Sequence, residues 1–231
     1  GAGKSQLCLL AAAAALAAAE GGVVYLDTER KFSAARFSQM LFNIIDDSRG
    51  ETPDGDTIRS HMERVVVFHI DSSMQLTEQL QTLDEVILDK DAKLVVLDSI
   101  ASLAHKDFMP KDTADRQNHL VQQAAILKQL ADTFDIAVLA VNQVRPVFRN
   151  EDWGDQEGGA AAPALGGLAA ALGNSWHHCV STRLAICQLT SNEQWPNRRV
   201  ATIQKSPLVA SSNVFFDIEL SGIQEATKND K

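Results

Sequence analysis

Short apolar runs rich in β-branched residues punctuate the chain as far as Asn142: Val23 to Asp27, Val65 to Ile70, Leu94 to Asp98 and Ile136 to Asn142. They are continuously apolar rather than alternating, the pattern of a strand covered on both faces. Between them, stretches such as Gln75 to Leu88 and Gln117 to Phe134 repeat apolar residues at three- and four-residue steps, as helices with one buried face do. Strands and helices in rotation predict an α/β fold with a mostly parallel central sheet. The pattern changes after Asn142. Val144 to Leu172 is rich in Gly, Ala and acidic residues with little periodicity, and loops of that length are functional or disordered. Val180 to Leu189, Arg199 to Gln204 and Asn213 to Glu219 then alternate like antiparallel strands, predicting a small β extension on the parallel core.

Composition narrows the class. The 231 residues suit one large core over 1–231. No run approaches the roughly 18 apolar residues of a membrane span, so no membrane partner is expected. The alanine tract from Ala11 to Ala19 follows a glycine-rich loop, and alanine is the best helix former, so Gln6 to Glu20 is expected to be a packed helix. Cys8, Cys179 and Cys187 are odd in number and lack metal-ligand spacing, which fits buried thiols in a reducing compartment. His177, His178 and Cys179 are adjacent, and adjacent side chains rarely converge on one ion. The formal charge of −9 argues against a surface coated with cations for duplex DNA, so any DNA contact is expected to be local or assisted by partner subunits.

The chemistry begins at the first residue. Gly1-Ala2-Gly3-Lys4-Ser5 reads as the second half of a phosphate-binding loop, in which glycines let backbone amides face phosphate oxygens and the next helix presents its positive end. A preceding strand and the motif's first glycine are expected upstream of Gly1. Lys4 would reach the β- and γ-phosphates, and the Ser5 hydroxyl would bind magnesium. Leu94 to Asp98 is an apolar strand ending in a carboxylate, which makes Asp98 the second magnesium-site candidate; a helix N-cap is the plainer role for such an acid. Tyr25-Leu26-Asp27-Thr28-Glu29 puts two carboxylates at another strand end. Either Asp27 or Glu29 could activate the attacking water, and spacing alone does not choose between them.

Taken together, Gly1 to Cys8, Val24 to Glu29, Leu97-Asp98-Ser99 and Val141 to Val144 resemble, in order and spacing, successive motifs of the eukaryotic and archaeal RecA-like recombinases. Leu97 to Ser102, Ala171 to His178, Ser181 to Leu184 and Lys205 to Leu208 look most like the B-type paralogue of the eukaryotic strand-exchange enzyme. The resemblance implies a RecA-like P-loop ATPase core using ATP and Mg2+. It implies nucleotide contacts from Gly1, Ala2, Gly3, Lys4, Ser5 and Gln6, Glu29 as the water-activating carboxylate, and Arg36 stacked on adenine. It further implies Asn142-Gln143 as a γ-phosphate sensor and Lys205 reaching a neighbouring subunit's nucleotide in trans. The family's two DNA loops fall at His105 to Gln117 and Val144 to Leu172, offering Lys106, Lys111, Arg116, Arg145 and Arg149 to phosphates. Glu151, Asp152, Asp155 and Glu157 in the second loop would oppose such contacts.

By this resemblance the chain is expected to be a nuclear DNA-dependent ATPase in homologous-recombination repair, a mediator joining other recombinase paralogues on single-stranded or branched DNA. A self-sufficient filament-forming recombinase, a hexameric helicase and a small-molecule kinase are the alternatives. The kinase usually needs an arginine-rich lid that the sequence does not offer.

Overall fold

The computed structural model describes residues 2–18, 20–50, 52–109, 112–146, 168–170, 172–189, 198–219 and 221–226. Helix α1 (Lys4–Ala18) leads to β1 (Val23–Asp27), and α2 (Ala34–Arg49) and α3 (Gly55–Met62) lead to β2 (Val65–His69). After α4 (Ser73–Gln81) and α5 (Leu83–Asp89) comes β3 (Leu94–Asp98), then α6 (Ile100–Asp107), α7 (Thr113–Phe134) and β4 (Ala137–Ala140). These four strands form a parallel sheet in the order β2-β1-β3-β4.

Burial follows position in that order. β1 and β3 are central and buried at every residue, whereas the edge strands β2 and β4 are only partly covered. Because strand side chains alternate, the central strands feed two cores. Val24, Leu26, Val95 and Leu97 pack with α4 to α7, while Val23, Tyr25, Leu94 and Val96 pack with α1 and α2. Each such side chain contributes about 1.5–3 kcal/mol. Gln123, buried in α7, donates to the carbonyl (2.9 Å) and hydroxyl (3.0 Å) of Ser73 and to the Thr77 hydroxyl (3.1 Å), tying α7 to α4.

The caps are written in the chain. Ser33, Asp54 and Ser72 accept the amides of Arg36, Thr57 and Gln75 at the starts of α2, α3 and α4. Gly50 closes α2 in the left-handed region at φ 66°.

The remaining elements are β5 (Val144–Pro146), β6 (Leu168–Ala170), α8 (Gly173–Cys179), β7 (Arg183–Gln188), β8 (Arg198–Lys205), β9 (Asn213–Ile218) and β10 (Ile223–Glu225). β5 and β6 pair antiparallel, so the ends of the expected second loop form a ribbon. β10-β9-β8-β7 form the expected antiparallel extension, a sheet of its own beside the parallel one. Arg198 and Asp217 face each other across β8 and β9 and form an ion pair at 3.2 Å.

Several expected boundaries move. The single helix expected from Gln75 to Leu88 divides at Thr82, whose φ of −112° interrupts the helical path. The first helix begins at Lys4 instead of Gln6. Most of the stretch from His105 to Gln117, read as a DNA loop, is helical: α6 runs to Asp107 and α7 starts at Thr113. α2, α3, α8 and β10 had no forecast.

Candidate functional site

Parallel pairing of β1 with β3 sets Asp27 opposite Asp98, so both strands end at one rim of the sheet. Their carboxylates have different surroundings. Asp27, 1% exposed, accepts the amides of Glu29 and Lys31 on Oδ1, both at 3.1 Å, and that of Phe32 on Oδ2 at 2.8 Å. It is occupied in closing the turn that carries Glu29. Asp98, also buried, takes one side-chain hydrogen bond among the described residues, from the Tyr25 hydroxyl to Oδ2 at 3.0 Å. Burial, then the Asp98 charge, pushes the Tyr25 phenol upward, so it stays protonated as a donor.

Thr28 fastens the two strand exits together. Its hydroxyl donates to the Ser99 carbonyl (2.8 Å), accepts the Ser99 amide (2.7 Å), and lies 2.6 Å from the Ser102 hydroxyl. Although Ser99 is the N-cap of α6, its side chain makes no cap bond. It donates to Glu29 Oε1 at 3.0 Å instead. Gln143 Nε2 reaches the same oxygen at 3.4 Å from the exit of β4, which is held by Val141 N to Leu97 O at 2.8 Å. Lys31 Nζ pairs with Glu29 Oε2. Burial raises the Glu29 carboxyl, but the bonds from Lys31 and Ser99, the Lys31 charge and the Gln143 amide together hold it below its ordinary value.

The glycine-rich loop arrives from the other side. Gly3 has φ +97°, and a Cβ there would meet Ile218 Cδ1 at 2.5 Å. The backbone conformation favours glycine at this turn, and a side chain there would also have to displace the end of Ile218. α1 follows with no acid in its first turn, leaving its positive end uncompensated. Cys8, one turn on, is raised first by burial and second by the Asp98 charge, with Lys4 opposing, so Lys4 and Asp98 both act on the start of α1. The glycine-rich loop, Asp98 and Glu29 thus belong to one neighbourhood at the C-terminal rim of a parallel sheet, where open α/β folds bind ligands.

These donors suit a nucleotide triphosphate and a hard cation. Lys4 and the helix amides fit phosphate, while the Ser5 hydroxyl and Asp98, with an oxygen left over from Tyr25, fit magnesium, which takes few protein oxygens and keeps water.

Other expected residues have different partners. Arg36 donates to Gln6 Oε1 (3.0 Å), Gln39 Oε1 (2.8 Å) and the Glu219 carbonyl (2.6 Å), tying α2 to α1 and the second sheet. Lys205 Nζ donates to the carbonyls of Val180 (2.7 Å) and His177 (3.3 Å) at the end of α8. It borders a cleft of about 400 Å³ shared with Lys128, His178, Ser181 and Ser206. Lys106, in the last turn of α6, donates to the Asp71 carbonyl at 2.7 Å, and Arg116 lies in the first turn of α7. Gly1, Lys111 and Arg149 lie outside the described residues, as does the Arg145 side chain. Trp176 is buried in the core. Tyr25, Thr28, Lys31 and Ser99 were missed by sequence reasoning; the repeated acid-then-hydroxyl pairs Asp27-Thr28 and Asp98-Ser99 were the available signal.

The comparisons with known proteins agree with this architecture. The profile of the Rad51 family matches residues 1–226. The chain is similar to DNA repair protein RAD51 homolog 2 of Mus musculus, at 33% identity over 96% of this chain and 66% of the mouse protein. The Homo sapiens protein of the same name is 31% identical over 98% of this chain and 62% of its own length. The chain therefore spans a little under two thirds of these relatives. The crystal structure of the RadB recombinase aligns with a TM-score of 0.68 at 21% identity, covering 98% of this chain and 86% of that one, a likeness of fold. The match across almost the whole chain places it in the Rad51 family of RecA-like recombinases.

Proposed function

We propose that the chain is the core of an ATP-binding, DNA-dependent ATPase subunit acting in the nucleus in homologous-recombination repair of double-strand breaks. In this reading it works as a mediator within a complex of other RecA-like recombinase paralogues. One observation carries the enzymatic part: Asp98 and the Ser99–Glu29–Gln143 cluster lie on the sheet rim that also faces the start of α1.

Ser5 and Asp98 would hold magnesium, which would supply charge neutralisation for the phosphate oxygens. Lys4 and the amides of Ala2, Gly3, Ser5 and Gln6 grip the phosphates. In hydrolysis the water oxygen bonds to the γ-phosphorus while the bond to the bridging oxygen breaks, its electron pair leaving on ADP. Glu29 accepts the water's proton. Gln143, bonded to Glu29, senses the γ-phosphate and passes that state into β5 and the second DNA loop.

The partner assignment rests on likeness to proteins named as RAD51 homologs and on net charge. At −9 the chain offers little nonspecific attraction for DNA, so Lys106, Lys111, Arg116, Arg145 and Arg149 act with cations from neighbouring subunits on single-stranded or branched DNA. The deciding experiment uses the full-length protein. Magnesium-dependent ATP binding, with hydrolysis rising on addition of single-stranded DNA and paralogue subunits, is the expected result; no affinity for adenine nucleotides in magnesium refutes the proposal.

A further inference from the structure

We propose that Lys31 is a positioning residue that restrains Glu29 and keeps hydrolysis slow; this rests on the reading of Glu29 as the proton acceptor. The two groups lie on one turn. Asp27 collects the amides of Glu29, Lys31 and Phe32, which fixes that turn and brings the residue 31 ammonium back over the residue 29 carboxylate. As a result, Lys31 Nζ holds Oε2 while Ser99 Oγ and Gln143 Nε2 share Oε1, and both Glu29 oxygens carry donors.

Three donors have two consequences for a proton acceptor. The carboxylate's affinity for a water proton falls, because every donor stabilises the charged form. Its orientation is also committed to protein partners, so a water must displace or share them. Ser99 and Gln143 are neutral and hold Glu29 at the rim. Lys31 alone brings a full charge, and its side chain is 61% exposed while that of Glu29 is 22% exposed. The ammonium is therefore positioned above the carboxylate on the solvent side, free to swing away with little cost in packing. Arg30, at φ 55°, points elsewhere and pairs with Asp71 at 2.8 Å, so it does not replace Lys31.

The proposal makes Lys31 separable from nucleotide binding, since it acts on the proton acceptor. Single-turnover ATP hydrolysis and ATP affinity are measured on the full-length protein for Lys31→Met, Lys31→Arg and Glu29→Gln. Lys31→Met is expected to raise the hydrolysis rate about threefold or more with ATP affinity unchanged, since a stronger base speeds proton transfer. Lys31→Arg keeps the positive partner and is expected to match wild type. If Lys31→Met hydrolyses no faster than wild type while Glu29→Gln abolishes turnover, the restraint is disproved and the role of Glu29 stands. If Glu29→Gln hydrolyses as wild type does, the role of Glu29 falls and the restraint with it.

Discussion

The Tyr25 hydroxyl donates to Asp98 Oδ2 at 3.0 Å from the adjoining strand, the one side-chain hydrogen bond of that buried carboxylate among the described residues. Removing it leaves a buried charge without its donor, which costs about 1–3 kcal/mol. Tyr25→Phe keeps the ring in the core and isolates that loss. Its urea midpoint should fall accordingly, and magnesium-dependent nucleotide binding should require more magnesium, because Asp98 loses its orientation. A midpoint and magnesium requirement equal to wild type would show that the phenol does not hold Asp98.

Gly3 sits at φ +97°, and the methyl of an alanine there would lie 2.5 Å from Ile218 Cδ1, a side-chain end that would have to move. Gly3→Ala is expected to cost about 1–3 kcal/mol and to weaken ATP binding about tenfold. Adding Ile218→Ala removes the steric part and leaves the backbone part, so the double variant should recover some stability beyond the sum of the singles. Strict additivity in thermal or urea unfolding would show that the second sheet does not press on the loop.

Glu29 supplies a pH prediction. Its carboxyl lies below its ordinary value of 4.5, so the folded state favours the ionised form. That contribution is fully present above the unfolded value and is lost as pH falls through the lower folded value. Stability measured by urea unfolding from neutrality down past 4.5 should therefore decline less steeply in Glu29→Gln than in wild type. Identical slopes would mean that Lys31, Ser99 and Gln143 give Glu29 no net stabilisation.

What the chain discloses in advance depends on how local the cause is. β1 and β3 were legible to the residue because a strand buried on both faces must be apolar throughout. Lys4, Ser5, Asp98 and Glu29 were legible as candidates because each stands at the end of such a run or in a glycine-rich turn. The links among them were not. Ser99 to Glu29 and Gln143 to Glu29 join positions far apart in the chain, and only the β2-β1-β3-β4 order brings them together. Nothing in the sequence marks Lys31, because its position over Glu29 depends on how the amide contacts of Asp27 close the turn. The break at Thr82 was hidden because Leu80, Leu83 and Ile87 keep a helical period across it.

Lys205 joins the second sheet to α8, and two roles for it predict different results. Its ammonium donates to the Val180 and His177 carbonyls at 2.7 and 3.3 Å, at the helix end where carbonyls lack intrahelical partners and a cation is favoured. As a cap within its own chain, Lys205 contributes about 1 kcal/mol, so Lys205→Ala should lower the urea midpoint of the isolated protein. As a contact to a neighbour's nucleotide, it should make ATP hydrolysis depend on protein concentration, and Lys205→Ala should abolish that dependence. The two are compatible if a neighbour's γ-phosphate draws the ammonium away from α8, in which case ATP in the assembly should increase amide hydrogen exchange at the end of α8 in wild type and leave Lys205→Ala unchanged. Equal exchange with and without ATP in wild type would confine Lys205 to its own helix.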